Sequence, residues 1–312
     1  MTKLHPIIIG LASTQLSQIE RDFISKFLPF GIILFARNIE NEAGLKMLCQ
    51  AINHCYPQPY RPEILIDQEG GRVQRLKPPL FKGWPPAEHF SLLYQKDAQM
   101  ARQACYQSNL DMAQLLRECG ITMNCTPVTD LRIKGADAVI GDRAYGTTPE
   151  QVSDLAAMVI KAHRQAGMKT VIKHMPGHGR ALLDSHHACP HISASIDLLQ
   201  QNDFACFKQL LQKITPEEAS PEEDNFAMSA HIIYESIDAK YPATCSKKLI
   251  TEVIRDWIGF KGKLMSDDIC MQALQGSMAE RARQAFDAGC DLVMHCNGNM
   301  DEMLEITSIF KG

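Results

Sequence analysis

Eight short apolar runs, each followed by loop residues and in most cases by a helical pattern, constrain this chain more than any other feature. They occupy residues 6–12, 31–35, 63–66, 121–125, 168–172, 225–229, 263–265 and 291–295. Between them, apolar residues recur at three and four spacing in segments such as 43–52, 101–119, 149–166, 198–211, 247–257 and 278–288. A strand-helix alternation repeated eight times within 312 residues predicts one α/β domain, a single (β/α)8 TIM barrel over residues 1–312. A doubly wound sheet is the alternative, but no GxGxxG turn follows the first run. Thr148, Pro149 and Gln151 read as the cap, first-turn proline and capping-box partner of a helix.

In a barrel the chemistry lies at the C-terminal ends of the strands, so the residues that follow each run are the test. After the third run comes DQEGGRVQR, with Asp67, Glu69 and Arg75 around a Gly70-Gly71 turn. Asn124 and Asp130 follow the fourth, on a long segment ending in GDRAYG with Asp142 and Arg143. Lys173 and His174 follow the fifth, His231 the sixth, Ser266, Asp267 and Asp268 the seventh, and His295 and Asn297 the eighth. Strong polar groups after six consecutive runs point to one functional rim. Structural readings stand beside this for single positions. Gly70 and Gly71 supply turn geometry, His231 and His295 read as satisfied core histidines, Met265 and Cys270 as packing, and Asp268 as the partner of a neighbouring basic group.

Residues 173–190, KHMPGHGRALLDSHHACP, carry four of the chain's eleven histidines and have neither helical nor strand periodicity. Such a segment after a strand is a long functional loop. Asp184 and His186 are two apart, so a tight turn lets the carboxylate orient the imidazole for proton transfer. A solvated loop or a metal cluster are the other readings of this segment. Asp267, after the seventh run, is a carboxylate that reaches across the mouth of a barrel. With the basic residues around it, it suits a polyol ligand, and one fixed carboxylate plus one proton donor is the minimum for cleaving a glycosidic bond.

The net charge of −4 and the lack of a basic run argue against nucleic acid or an anionic membrane surface as partner. No segment approaches the roughly 20 apolar residues of a membrane span, and MTKLHPIIIGLAST turns polar too soon for a secretory signal, so a cytoplasmic protein is expected. Eleven cysteines with no CxxC pair read as reduced, buried thiols, with neither disulfide nor zinc site. Residues 215–224, TPEEASPEED, hold five acids and two prolines and read as a solvated excursion without a catalytic role.

KHMPGHG followed by DSH, DQEGGRVQR, GDRAYG and SDDICM, in the order this chain places them, resemble glycoside hydrolase family 3, specifically its single-domain β-N-acetylglucosaminidase branch. The resemblance runs from GIILFARN to AGCDLVMHCN and takes in FAMSAHIIY and PATCSKKLI. It implies that Asp267 is the nucleophile forming a covalent glycosyl-enzyme. Asp184 and His186 would be the acid/base dyad on a flexible loop, with Asp67, Arg75, Arg143, Lys173 and His174 gripping the sugar. The implied reaction is retaining removal of terminal β-linked N-acetylglucosamine from muropeptides with anhydro-N-acetylmuramic acid, in peptidoglycan recycling, by a monomer needing no metal or organic cofactor. A histidine donor suits this site, because it repels a carboxylate about 5 Å away less than a second carboxylate would.

Met175 stands where the family commonly has phenylalanine, CTPVTDLR replaces an APVLDV-like run, and the chain ends soon after the eighth run, leaving room for one short helix. Three rival readings have distinct signatures. A phosphorylase of the same family would depend on phosphate. A metal-dependent amidohydrolase barrel would show an HxH pair after the first run, where residues 11–18 contain no histidine. A non-catalytic sugar-binding barrel would have lost Asp267, Asp184 or His186.

Overall fold

Runs of four to seven residues rich in Ile, Leu, Val and Met are too short for stable helices, and as parallel strands buried on both faces they need no polar alternation. The structure, a computed structural model, describes residues 4–182, 189–214 and 225–310. In chain order it contains β1 (His5–Gly10), α1 (Gln18–Phe27), β2 (Pro29–Leu34), α2 (Glu42–His54), β3 (Glu63–Ile66), α3 (Ala87–Tyr94), α4 (Ala98–Glu118), β4 (Met123–Asn124) and α5 (Pro149–Gln165). There follow β5 (Lys169–Met175), β6 (His191–Ile192), α6 (Ile196–Gln201), α7 (Asp203–Lys213), β7 (Phe226–Ser229), β8 (Ile233–Tyr234), β9 (Lys263–Asp268), α8 (Met278–Ala288), β10 (Leu292–His295) and α9 (Met300–Thr307). Eight strands close one parallel barrel in the order β1-β2-β3-β4-β5-β7-β9-β10, with β10 returning to β1. The eight runs supply these eight strands. β6 and β8 make a separate short parallel pair beside it.

The period of two along each strand divides the core. Ile8, Ile33, Leu65, Met123, Val171 and Phe226 point inward and fill the barrel. Their neighbours Ile7, Ile9, Ile32, Leu34, Ile64 and Ile66 point outward, into the layer between strands and helices. Barrel strands therefore read as continuous apolar stretches, and their polar residues are pushed to the ends.

The structure departs from the sequence reading in several places. The segment 198–211 is two helices, because Asn202 leaves helical geometry between α6 and α7 at φ −124° and ψ −81°. Only Met123 and Asn124 form β4, although Cys125 N donates to Ile66 O at 2.8 Å and Lys169 N to Thr122 O at 3.0 Å, continuing the ladder on both sides. The helix Leu249–Trp257 winds in the wider π register. Thr148 does cap α5 by accepting from Gln151 N, with Pro149 in the first turn. The Gln151 side chain, however, donates to Ser91 O and Oγ of α3 at 2.8 and 3.0 Å and closes no capping box, because those acceptors are buried and need a donor. All eleven cysteines are free. Among the described residues no helix is long and apolar enough to cross a membrane. The acidic segment 215–224 lies outside the described residues.

The barrel filling gives a direct test. Leu65 is fully buried in the inner cluster, so Leu65→Ala leaves a void among neighbours tethered to rigid strands. A loss of about 3 kcal/mol is expected in urea unfolding with an unchanged slope.

Candidate active site

The DQEGGRVQR stretch leaves β3 and turns back on itself at once. Gly70 (φ 99°) and Gly71 (φ 58°) make this possible: a Cβ on Gly70 would lie 2.3 Å from Pro85 O, and one on Gly71 2.6 Å from Pro86 Cβ. Gln68, fully buried, holds the returning strand by accepting at Oε1 from Arg75 N and Leu76 N at 2.8 and 3.0 Å. Asn124 of β4 is bonded to the Gln68 backbone in both directions, at 3.0 and 2.9 Å, and its amide reaches His163 Nε2 of α5 at 3.0 Å. Burial lowers the His163 pKa to about 4, so the ring is neutral and accepts at Nε2 while Nδ1 faces Val159 O. Asn124, expected at the functional rim, is instead a strut that fixes the loop from behind.

The loop presents Asp67 and Glu69 to its own Arg75 and to cations from two other places. Lys173 Nζ, at the end of β5, lies 2.8 Å from Asp67 Oδ1 and 2.7 Å from Glu69 Oε1. Arg75 donates to Asp67 Oδ2 at 2.9 Å, and its guanidinium lies 5.2 Å from the centre of the Phe35 ring. Arg143 makes a two-pronged bond to Glu69, both contacts at 2.8 Å. Arg143 is aimed by its neighbour: Asp142 binds Arg72 Nε at 2.7 Å, and Arg72 also donates to the carbonyls of Ala138 and Val139.

Burial alone would raise both acids, but the paired cations outweigh it. Arg143 and Lys173 hold Glu69 at about 2, and Lys173 and Arg75 hold Asp67 well below the carboxylate range. Burial alone would lower Lys173, yet Asp67 and Glu69 lift it above its ordinary value. Three cations against two anions leave one positive charge. The sixth member of the cleft balances it: Asp267 of β9 is depressed despite its burial by His231, by His174, by its bond from Asp268 N and by Lys173.

His174 is anchored from below by Asp130, whose buried carboxylate faces His174 Nδ1 at 2.7 Å and accepts from the backbone N of His178 at 2.6 Å. Asp130 thus orients the histidine and does not itself face the cleft. His178 also lines the cleft, neutral because burial first, and then neighbouring His174, lower it to about 4. Of the two readings left open for His231, rim residue or core histidine, the structure supports the second, with ring nitrogens 2.8 Å from Thr244 Oγ1 and 3.0 Å from Asp268 O. Asp268 does have partners, but they are the backbone N–H groups of Cys270 and Cys296, at 3.0 and 3.1 Å, and not a basic side chain.

The result is a cleft of about 300 Å³ at the C-terminal end of the barrel, lined by Asp67, Arg75, Arg143, Lys173, His174 and Asp267. All six of these expected residues converge on it. Asp184 and His186 lie outside the described residues. Glu69 was visible in the loop motif but not assigned to the sugar grip, and His178 had no assigned role; membership of the two glycine-rich motifs was the available signal. Phe35, Met294 and Cys296 also line the cleft, from apolar strand ends that carry no signal in sequence.

Chemically, the cleft offers fixed donors and ionised acceptors to a ligand rich in hydroxyls, and one carboxylate, Asp267, that no arginine or lysine among the described residues neutralises by direct contact. Glu69→Gln is expected to destabilise the fold by about 3–5 kcal/mol at neutral pH, because it takes the carboxylate from buried Arg143 and leaves Lys173 with Asp67 alone. Glu69 is depressed from 4.5 to about 2, so its stabilisation is complete above pH 4.5 and is lost as pH falls toward 2. The gap between wild type and variant in chemical denaturation should therefore close across that window.

Comparison with known proteins agrees with this geometry. The family described as glycosyl hydrolase family 3 N terminal domain matches residues 7–311. A β-hexosaminidase of Alkalilimnicola ehrlichii is 38% identical over 298 residues, covering 94% of this chain and 81% of the relative. One from Bordetella avium is 35% identical over 304 residues, covering 96% and 83%. Among solved structures, NagZ from Neisseria gonorrhoeae in complex with N-trifluoroacetyl-D-glucosamine superposes with a TM-score of 0.87 at 36% identity, covering 98% of this chain and 85% of that one. A closed barrel, a charged cleft at its C-terminal mouth and a family match over almost the whole length place this chain in glycosyl hydrolase family 3, among its β-hexosaminidases.

Proposed function

We propose that this single barrel domain is a retaining exo-β-N-acetylglucosaminidase that uses Asp267 as nucleophile and Asp184 with His186 as acid/base dyad. The observation that carries the reading is the charge state of the cleft. Asp67 and Glu69 are tied up by cations and held ionised, while Asp267 is ionised with no lysine or arginine of the described residues bonded to it. A carboxylate in that condition attacks an anomeric carbon and forms a glycosyl ester; a protonated carboxyl does not.

The proton donor is assigned by the family motif, and the other acids and lowered histidines of the cleft leave the role open to it. Asp67, Glu69 and Asp267 are all depressed, and His178 and His231 are lowered and stay neutral. None of these groups carries a proton to give at neutral pH. His186, oriented by Asp184, protonates the glycosidic oxygen as its bond to the anomeric carbon breaks. It then takes a proton from the water that cleaves the glycosyl ester, which frees Asp267. Asp67, Arg75, Arg143, Lys173 and His174 bind the sugar hydroxyls and orient the N-acetyl group. The substrate assigned to this cleft is a muropeptide with terminal β-linked N-acetylglucosamine on anhydro-N-acetylmuramic acid, and the setting is cytoplasmic peptidoglycan recycling by a monomer. The sugar analogue held by the Neisseria protein supports the first part of that substrate.

Release of 4-nitrophenol from its β-N-acetylglucosaminide tests the reading. Turnover should be independent of added phosphate and should fall by roughly 10³–10⁴-fold in Asp267→Ala. His186→Ala should flatten the alkaline limb of the pH–rate profile. Turnover that requires phosphate would make the protein a phosphorylase, and turnover that survives loss of Asp267 would remove the nucleophile from the scheme.

A further inference from the structure

Beside the sugar cleft, on the outer side of the rim, three side chains from three different elements converge. Cys270 follows β9, His295 ends β10, and Glu302 lies in the first turn of α9. Each offers one donor atom, sulfur, ring nitrogen or carboxylate oxygen, and these atoms all lie within 4.8 Å of one another. The imidazole is buried, while Cys270 and Glu302 are half-buried, so the group has a solid floor and an open top. We propose that Cys270, His295 and Glu302 form a binding site for a borderline-soft divalent cation of the zinc class, separate from the sugar cleft.

Four features support this. The donor set of one thiolate, one imidazole and one carboxylate is what zinc-class ions prefer, with a fourth position left to water. His295 is 1% exposed, and while Nε2 lies 2.8 Å from Glu302 Oε2, Nδ1 has no partner among the described residues. The two ring nitrogens point apart, so the one facing Glu302, Nε2, is the one a cation would take, with the proton kept on Nδ1. The donors are also held in place without a metal. Asp268 Oδ1 accepts from Cys270 N at 3.0 Å, Arg281 donates to the carbonyls of Ile269 and Met271 on either side of it, and Asn297 Nδ2 holds Glu302 Oε2 at 2.6 Å. Finally, Cys270 and Glu302 are only half-buried, so a cation reaches both donors from solvent.

Binding releases the Cys270 thiol proton to solvent as the metal–sulfur bond forms, so affinity rises with pH. Burial first, and then the Asp268 charge, raise this thiol, and that charge is the one the cation would offset. Arg281, close enough to lower Glu302, opposes the cation and limits affinity. The structural alternative is that the His295–Glu302 contact only pins β10 to α9.

Titration of the full chain with Co²⁺ separates the two. A thiolate-to-cobalt charge-transfer band should appear, saturate at one ion per chain and vanish on adding Zn²⁺. It should be absent in Cys270→Ser and retained in Cys189→Ser, which changes the other half-buried cysteine. In Glu302→Gln the Co²⁺ Kd, measured by chelator competition, should rise at least tenfold. No band in the folded wild type, a band that persists in Cys270→Ser, or an unchanged Kd in folded Glu302→Gln overturns the proposal. If Cys270→Ser does not fold, the Glu302→Gln result decides alone.

Discussion

One ammonium group buried at the mouth of the barrel, Lys173 Nζ, organises the site. Its neighbours at 2.8 and 2.7 Å are two carboxylates from a loop on a different strand. A lone buried charge costs several kcal/mol, so this one is tolerated only with both acids in place, and they in turn need Arg75 and Arg143. Four separate chain segments are thus held in register by charge balance. The exits of β3 and β5, the returning loop and the segment before α5 cannot shift independently. The rigidity that a sugar-binding site requires follows from the electrostatics of burial.

That network also divides the labour among the acids. Carboxylates clasped by cations become permanent acceptors for hydroxyls. Asp267, supported among the described residues by more distant positive charge and one backbone N–H, keeps lone pairs available for the role proposed for it. In a barrel this division is natural, because each strand end delivers its side chain to the same mouth from a different direction. The glycosyl hydrolase family 3 barrel here places its cluster of paired charges on the β3–β5 side and Asp267, the proposed nucleophile, on β9 opposite. The rim continues past Asp267 to Cys270, His295 and Glu302, so the same β9 exit serves the cleft on one side and the proposed cation site on the other.

Much of this was legible beforehand. The eight strands were fixed by eight apolar runs, because a strand buried on both faces must be apolar throughout. The glycine-rich turn after β3 announced itself by composition, since only glycine supports Gly70 and Gly71 where they stand. Asn124, Asp130 and Gln151 were misread for one common reason. Each is polar at a plausible position, and nothing in the order of residues says whether the nearest neighbour is a ligand or a buried backbone group. His163, which decides what Asn124 does, lies 39 residues away on another helix.

By itself, the sequence determined the barrel, the end of it that carries chemistry, and the residues delivered there, because strand period and strand end are local properties of the chain. Only the tertiary structure decided which charges touch, which acids lose their freedom to take a proton, and that a cysteine, a histidine and a glutamate with no motif spacing share one corner. Those outcomes depend on the stagger between strands and on the packing of helices behind them. Distances across a closed barrel are set by that stagger, and separation along the chain does not encode it.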